Sequence, residues 1–131
     1  MPKSVLIVDD EPLLARTLAN ALRDVGFDAV TAESVEQAEQ VLFPQNEFVL
    51  VVLDHKLPRA TGLSLLERMR AEEMRTPVVL MTAYETTTMH ARALELSVDG
   101  FFRKPFNLAE MLDRIEQLVG PSGVAQPSPA E

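Results

Sequence analysis

A chain of 131 residues has room for one ordinary domain, and its 47% of hydrophobic residues predicts a packed core rather than disorder. The 20 acidic residues outnumber the 12 basic ones, and the net charge of −8 would repel nucleic-acid phosphates, so no direct nucleic-acid binding is expected. The lack of cysteine excludes disulfides and thiolate metal sites, and the apolar runs are too short to span a membrane, so we expect a cytoplasmic protein without membrane contact.

Short apolar runs alternate with longer amphipathic stretches along the chain. The runs have the length and β-branched content of strands buried on both faces, and the stretches carry the one-sided apolar stripe of helices. In chain order, the predicted elements are a strand at 4–8, a helix at 10–25, a strand at 29–32, a helix at 34–43, a strand at 48–53, a helix at 62–76, a strand at 78–81, a helix at 85–96, a strand at 100–103 and a helix at 107–119. The helix at 85–96 is expected to be the weakest, because three consecutive threonines favour helix only modestly.

Five strands separated by helices imply parallel pairing with right-handed crossovers. The predicted fold class is therefore α/β: a doubly wound, five-stranded parallel sheet of (βα)5 type with the flavodoxin-like strand order 2-1-3-4-5. Five units are too few to close an eight-stranded barrel. We expect residues 1–119 to form the domain, and residues 120–131 have the composition of a flexible tail or linker.

Four of the predicted strands are followed at once by polar residues: Asp9 and Asp10, Asp54, Thr82, and Lys104. Each residue alone is compatible with a turn, a helix start or a solvated side chain. In a parallel sheet, however, they share the edge at which open α/β sheets bind ligands. Converging carboxylates repel one another unless a cation is bound, and oxygen ligands favour Mg²⁺, with Mn²⁺ as the alternative.

This arrangement suits phosphoryl chemistry. A divalent cation and a fixed lysine, Lys104, would offset the charge of a phosphoryl group, and the hydroxyl of Thr82 would offer it a hydrogen bond. Asp54, between them, would be a carboxylate nucleophile of the kind that forms an aspartyl phosphate.

Four motifs in this order make the pattern specific. They are Val8-Asp9-Asp10-Glu11-Pro12, then Leu53-Asp54 with Leu57-Pro58 and Gly62, then Met81-Thr82-Ala83, then Lys104-Pro105-Phe106. Together they resemble the receiver domain of bacterial two-component response regulators, over residues 3 to about 119. The resemblance implies the doubly wound fold and a phosphorylation-dependent switch, not an enzyme acting on a separate substrate.

The resemblance also implies a role for each residue of the metal and phosphoryl site. Asp54 would be the 4-aspartylphosphate residue, taking its phosphoryl group from the phosphohistidine of a histidine kinase. Asp10 would bind Mg²⁺ directly, Asp9 would act mainly through a bound water, and the backbone carbonyl of Lys56 would be a further ligand beside Asp54.

The response to phosphorylation is implied in the same way. Lys104 would contact the phosphoryl group, and its bond to Pro105 is expected to be cis. Thr82 would turn inward to a phosphoryl oxygen, and Phe101 would follow it. The surface formed by the fourth and fifth strands and helices would then change.

Four positions depart from the common pattern of the family, one of them Phe101, which stands where tyrosine is frequent. Lys56 and Tyr84 stand at positions that flank the phosphoryl group and tune its hydrolysis, and we expect their bulk to slow it. His55 replaces an apolar residue that is common beside the nucleophile. Of the other candidates, a zinc site at His55 and His90 is not expected, and His90 is expected to be a solvated helix residue.

The implied partners are a cognate histidine kinase or phosphotransfer protein and an output domain or effector. Whether the chain is a stand-alone receiver or part of a longer regulator is left open, with a slight preference for the latter. Pairing of phosphorylated copies through the fourth helix, fifth strand and fifth helix is common in the family, and the sequence does not decide it.

Three other functions fit these motifs less well. A flavodoxin would need a Ser/Thr/Gly-rich phosphate loop after the first strand, where this chain has Asp9-Asp10-Glu11-Pro12. A phosphatase with an aspartate nucleophile would have an Asp-x-Asp motif and a cap domain. A constitutive protein-binding module would lack at least one key residue, and none is missing.

Overall fold

The computed structural model describes residues 3–43 and 47–120, which alternate between strands and helices. The strands of the main sheet are β1 (Ser4–Val8), β2 (Asp28–Ala32), β3 (Phe48–Asp54), β4 (Val78–Thr82) and β5 (Gly100–Arg103). The helices are α1 (Pro12–Asp24), α2 (Val35–Leu42), α3 (Gly62–Ala71), α4 (Thr87–Glu95) and α5 (Leu108–Val119). The break expected after α2, at 44–46, and the predicted tail beyond residue 120 lie outside the described residues.

The five strands form one parallel sheet in the order β2-β1-β3-β4-β5, which confirms the predicted doubly wound topology. Its register aligns Val8 with Leu53 and Asp54 with Met81. The residues that follow β1, β3 and β4 are therefore brought to one edge of the sheet. A short antiparallel ladder between 56–57 and 60–61 closes the turn that leads from β3 into α3.

Both faces of the sheet are covered, which explains why its strands are apolar without alternation. Residues that point to the core beneath α2 and α3 are Leu6, Val8, Val51, Leu53, Val78 and Leu80. Residues that point to the core beneath α1 and α5 are Val5, Ile7, Leu50, Val52, Val79 and Met81. Each of these twelve side chains is fully buried, and burial of a large aliphatic side chain contributes roughly 1.5–3 kcal/mol. The sheet edge thus rests on a densely packed scaffold.

The ends of the helices follow from local hydrogen bonds. The side chains of Ser34 and Asn107 accept capping bonds from the backbone N–H groups of Gln37 and Glu110. Helix α3, predicted to continue to residue 76, instead ends at Ala71.

Among the described residues 3–43 and 47–120, no helix is both long and apolar enough to cross a membrane.

A shared backbone motif ends α1, α3 and α4. The residue two beyond each cap donates its N–H to a carbonyl five residues earlier, and the residue before it has a left-handed conformation. That residue is Gly26 after α1, with φ 100°, but Glu73 after α3 and Ser97 after α4, with φ of 62° and 60°. Because glutamate does not mark a helix end in a sequence, the early end of α3 was missed.

Candidate functional site

Three carboxylates meet at the carboxyl edge of the sheet. Oxygen atoms of Asp9, Glu11 and Asp54 all lie within 4.8 Å of one another. Asp9 follows β1 and is 1% exposed, and Asp54 ends β3 and is 4% exposed. Since ionised carboxylates so close together repel one another, the group calls for positive charge.

Lys104, which follows β5, supplies part of that charge. Its Nζ lies 2.7 Å from Oε1 of Glu11, 3.0 Å from Oδ2 of Asp9 and 3.3 Å from Oδ2 of Asp54. Burial by itself would lower the pKa of Lys104, but its hydrogen bonds to Glu11 and Asp9 and the charge of Asp54 outweigh that effect and raise it. The lysine is therefore a permanent cation at this site. The peptide bond between Lys104 and Pro105 is cis, as predicted.

Asp54 is destabilised as an anion. Burial, followed by the negative charge of Asp9, raises the pKa of Asp54 from an ordinary 3.8 to about 6. The charge and hydrogen bond of Lys104 and a backbone hydrogen bond from Lys56 oppose this rise without cancelling it. At pH 7 the carboxylate is therefore mostly ionised, although it is almost completely buried.

A close backbone approach fixes the position of Asp54. The N–H of His55 donates to the carbonyl of Met81 on the neighbouring strand, and the N–H of Gly62 donates back to the carbonyl of His55. A Cβ at position 62 would lie 2.2 Å from the carbonyl oxygen of Asp54, so only glycine fits there. The side chain of His55 turns into the protein, where burial lowers its pKa and its Nδ1 has no hydrogen-bond partner among the described residues.

An open cavity of about 310 Å³ gives solvent access to the carboxylates. Its lining residues are Asp10, Glu11, Asp54, Lys56, Ala83 and Lys104. Asp10 itself is exposed and is not one of the three grouped carboxylates, although it faces the same cavity. The donor set is oxygen-rich and carries more negative than positive charge, which fits a hard divalent cation such as Mg²⁺.

Thr82, at the end of β4, is buried, but its hydroxyl is engaged away from the carboxylates. It donates to the carbonyl of Tyr84 at 2.7 Å and accepts from the N–H of Tyr84 at 3.1 Å. The ring of Tyr84 is not among the groups that line the cavity, and this residue is 83% exposed. The turn after β4 is thus closed by the hydroxyl of Thr82.

Phe101, on β5, is half-buried, and the ring of His90 lies against it. Their ring centroids are 4.9 Å apart with an interplanar angle of 37°. His90 also binds the carboxylate of Glu85, which in turn lies near Arg103. The expectation that His90 is a simple solvated residue was therefore incomplete, because it links α4 to β5.

Sequence reasoning missed the part that Glu11 takes in the site. Glu11 was part of the first motif, but no role in the site was predicted for it. The available signal was its position directly after Asp9 and Asp10, but its bond to Lys104 joins residues 93 positions apart, which no local pattern reveals.

Comparison with known proteins then decides the family. The sequence model of the family described as the response regulator receiver domain matches residues 5–116. The chain belongs to the response regulator receiver family. This receiver domain is 37% identical over 123 residues to the probable transcriptional regulatory protein TcrX of Mycobacterium tuberculosis, covering 94% of the chain and 52% of that protein. It is 36% identical over 115 residues to the transcriptional regulatory protein BasR of Escherichia coli, covering 88% of the chain and 51% of that protein.

Solved structures agree with this assignment. The non-phosphorylated HemR receiver domain of Leptospira biflexa matches with a TM-score of 0.83 at 32% identity, over 96% of this chain and 98% of that one. The response regulator TrrA of Thermotoga maritima, in complex with Mg²⁺-BeF, matches with a TM-score of 0.78 at 30% identity, over 88% of this chain and 98% of that one. The receiver domain spans about half the length of the curated relatives it matches.

Proposed function

We propose that this receiver domain is a phosphorylation-dependent switch, in which Asp54 accepts a phosphoryl group from the phosphohistidine of a histidine kinase or phosphotransfer protein. The observation that carries the proposal is a buried, reactive carboxylate held 3.3 Å from a permanent ammonium at the edge of an open cavity. In the transfer, a carboxylate oxygen of Asp54 forms a bond to phosphorus as the bond from phosphorus to the histidine nitrogen breaks. The histidine nitrogen keeps the electron pair of the broken bond, and Asp54 attacks as a carboxylate, so no proton has to leave it.

Asp10, Asp54 and the backbone carbonyl of Lys56 would hold Mg²⁺, with Asp9 acting through a bound water. When bound, the ion would neutralise charge on the phosphoryl oxygens. The residues that face the cavity support this set, because Asp10, Asp54 and Lys56 all line it. Mn²⁺ has the same preference for oxygen and is the alternative.

Lys104 would contact the phosphoryl group, and Thr82 would bond to one of its oxygens. To do so, the hydroxyl of Thr82 must leave the carbonyl of Tyr84, which would release the turn after β4. Phe101 would then move inward and leave His90. This sequence of changes would remodel the surface formed by β4, α4, β5 and α5, where an output domain, an effector or a second copy would bind the favoured state.

An apolar groove beside the acidic cavity supports docking of the phosphoryl donor. It has a volume of about 570 Å³, and it shares Glu11, Ala83 and Lys104 with the acidic cavity. The remaining lining residues are Leu14, Thr17, Pro105, Phe106 and Leu108. A helix of the donor seated there would bring its phosphohistidine next to Asp54. This exchange would take place in the cytoplasm.

The decisive test is phosphorylation by acetyl phosphate with Mg²⁺, followed by intact mass. We expect the wild type to gain one phosphoryl group, and Asp54→Asn to gain none. Asp113→Asn, an exposed aspartate on α5, is the matched control and should behave as the wild type. A folded wild type that stays unmodified, or an Asp54→Asn variant that is still modified, would contradict the proposal.

A further inference from the structure

The three carboxylate partners of Lys104 differ sharply in burial. The side chain of Asp9 is 0% exposed and that of Asp54 is 6% exposed, whereas that of Glu11 is 60% exposed. Nevertheless, the shortest distance from the ammonium, 2.7 Å, is to Glu11. The partner most open to water is therefore the one that holds the ammonium most closely.

The ammonium of Lys104 has three N–H donors and three carboxylates within reach. A phosphoryl group on Asp54 adds negative charge and several strong acceptor oxygens to the site, so it competes with Asp9 and Glu11 for these donors. Losing Asp9 would leave a fully buried carboxylate without its cation, which is strongly unfavourable. Glu11 can instead turn its carboxylate to water, so it is the least costly partner to lose.

The backbone of Glu11 is fixed where this exchange would occur. Its N–H donates to Oδ1 of Asp9 at 2.9 Å, and its carbonyl accepts from the N–H of Ala15 in the first turn of α1. Glu11 and Lys104 both line the acidic cavity and the apolar groove. The ion pair thus stands on the boundary between the phosphoryl site and the proposed docking groove.

We propose that Glu11 is the exchangeable partner of Lys104, which holds the ammonium in the unphosphorylated domain and releases it to the phosphoryl group. Glu11 is then a positioning residue that acts through Lys104, and its charge opposes phosphoryl uptake. The inference rests on the proposed function of Asp54, but it adds a competitor for the lysine that the phosphoryl group must displace.

The test uses beryllofluoride, a mimic of the phosphoryl group, at saturating Mg²⁺, with binding followed by fluorine NMR. We expect Glu11→Gln to bind beryllofluoride about two- to tenfold more tightly than the wild type, the range for removal of one competing ion pair. Glu110→Gln removes the same charge from the exposed first turn of α5, so its affinity should be unchanged. In protein with nitrogen-labelled lysine, Glu11→Gln should also shift the ammonium signal of Lys104 before any mimic is added.

A Lys104→Met background separates this role from general repulsion. If Glu11 acts through the lysine, Glu11→Gln gives no gain in that background. An equal gain there, or no gain when Lys104 is present, overturns the inference and leaves the function of Asp54 intact. A folded wild type that does not bind beryllofluoride at all would overturn the proposed function and this inference with it.

Discussion

The free energy of the folded domain depends on the charge of one buried residue, Asp54. Its pKa rises from 3.8 to about 6, so between these pH values the folded state binds the proton more tightly than the unfolded chain. The resulting stabilisation is present below pH 3.8 and is lost as the pH rises through 6. Above that pH, the domain carries the full cost of an ionised, desolvated carboxylate.

Asp54→Asn should therefore stabilise the domain at pH 8, and the gain should shrink as the pH falls towards 4. Two pKa units correspond to roughly 3 kcal/mol, and the gain should approach this value from below. Urea unfolding between pH 4 and 8, with a chelator present, measures it. Asp113→Asn is the control for loss of one surface charge, and a gain that does not vary with pH would show that the burial of Asp54 is not its source.

We propose that the bulk of Lys56 and Tyr84 shields the phosphoryl group from water and so sets its lifetime. Lys56 already lines the acidic cavity. The ring of Tyr84 is exposed, and it would have to turn over the cavity when Thr82 releases the backbone of Tyr84. Tyr84→Ala should shorten the half-life of the phosphorylated domain several-fold, as followed by intact mass after removal of the donor. A decay no faster than that of the wild type would leave Tyr84 without this role.

At the scale of elements, one side chain can tie together loops that are far apart in the sequence. Arg70, near the end of α3, donates to the carbonyls of Met74 and Thr76 and reaches across to those of Leu96 and Ser97. Arg70 is partly buried, and burial lowers its pKa, although the charge of Asp99 opposes that shift. One guanidinium thus binds backbone carbonyls in the two loops that precede β4 and β5.

Arg70→Ala should destabilise the domain by about 2–4 kcal/mol, because several carbonyls lose a charged donor together. Arg70→Lys should recover little of this loss, since an ammonium cannot span the same fan of acceptors. Denaturant unfolding gives the free energies, with the exposed Arg75→Ala as the control. An Arg70→Ala variant as stable as the control would mean that water replaces the guanidinium at no cost.

The turn from β3 into α3 requires a residue without a side chain at position 62. A glycine within a helix is usually improved by alanine, but a Cβ at Gly62 would collide with the backbone of Asp54. We expect Gly62→Ala to cost about 1–3 kcal/mol and to lower phosphorylation by acetyl phosphate. At Gly100 the nearest contact of a Cβ, 3.2 Å, is to a side-chain methyl of Val79, so Gly100→Ala should be milder in both assays.

These elements also show how much of the fold and of the site can be predicted from the sequence. Short apolar runs predicted all five strands, and the strand ends predicted that Asp9, Asp54 and Lys104 lie together. Asp10, however, lies outside the group of three carboxylates, and the hydroxyl of Thr82 bonds to Tyr84. The end of α3 was missed because Glu73 takes a conformation that usually marks glycine. Contacts of Lys104 with Glu11 and of His90 with Phe101 depend on tertiary packing, which no local pattern encodes.

For the whole molecule, the net charge of −8 and the oxygen-rich cavity predict linkage between cation binding and stability. Mg²⁺ should raise the free energy of unfolding by about 1.4 kcal/mol when its free concentration is ten times its Kd. Thermal unfolding at matched ionic strength measures the effect, and Asp10→Asn should largely abolish it. Equal stabilisation of this variant would point to general screening of negative charge.

Tyr84 carries one more consequence of the turn after β4. It is the chain's single tyrosine, and tryptophan is absent, so the intrinsic ultraviolet fluorescence of the native domain comes from this one ring. The ring of Tyr84 is exposed to water, whereas the backbone carbonyl of Tyr84 accepts a hydrogen bond from the hydroxyl of Thr82. The molecule therefore contains its own optical reporter, placed one hydrogen bond from the residue proposed to respond to phosphorylation, and its activation can be followed without a label.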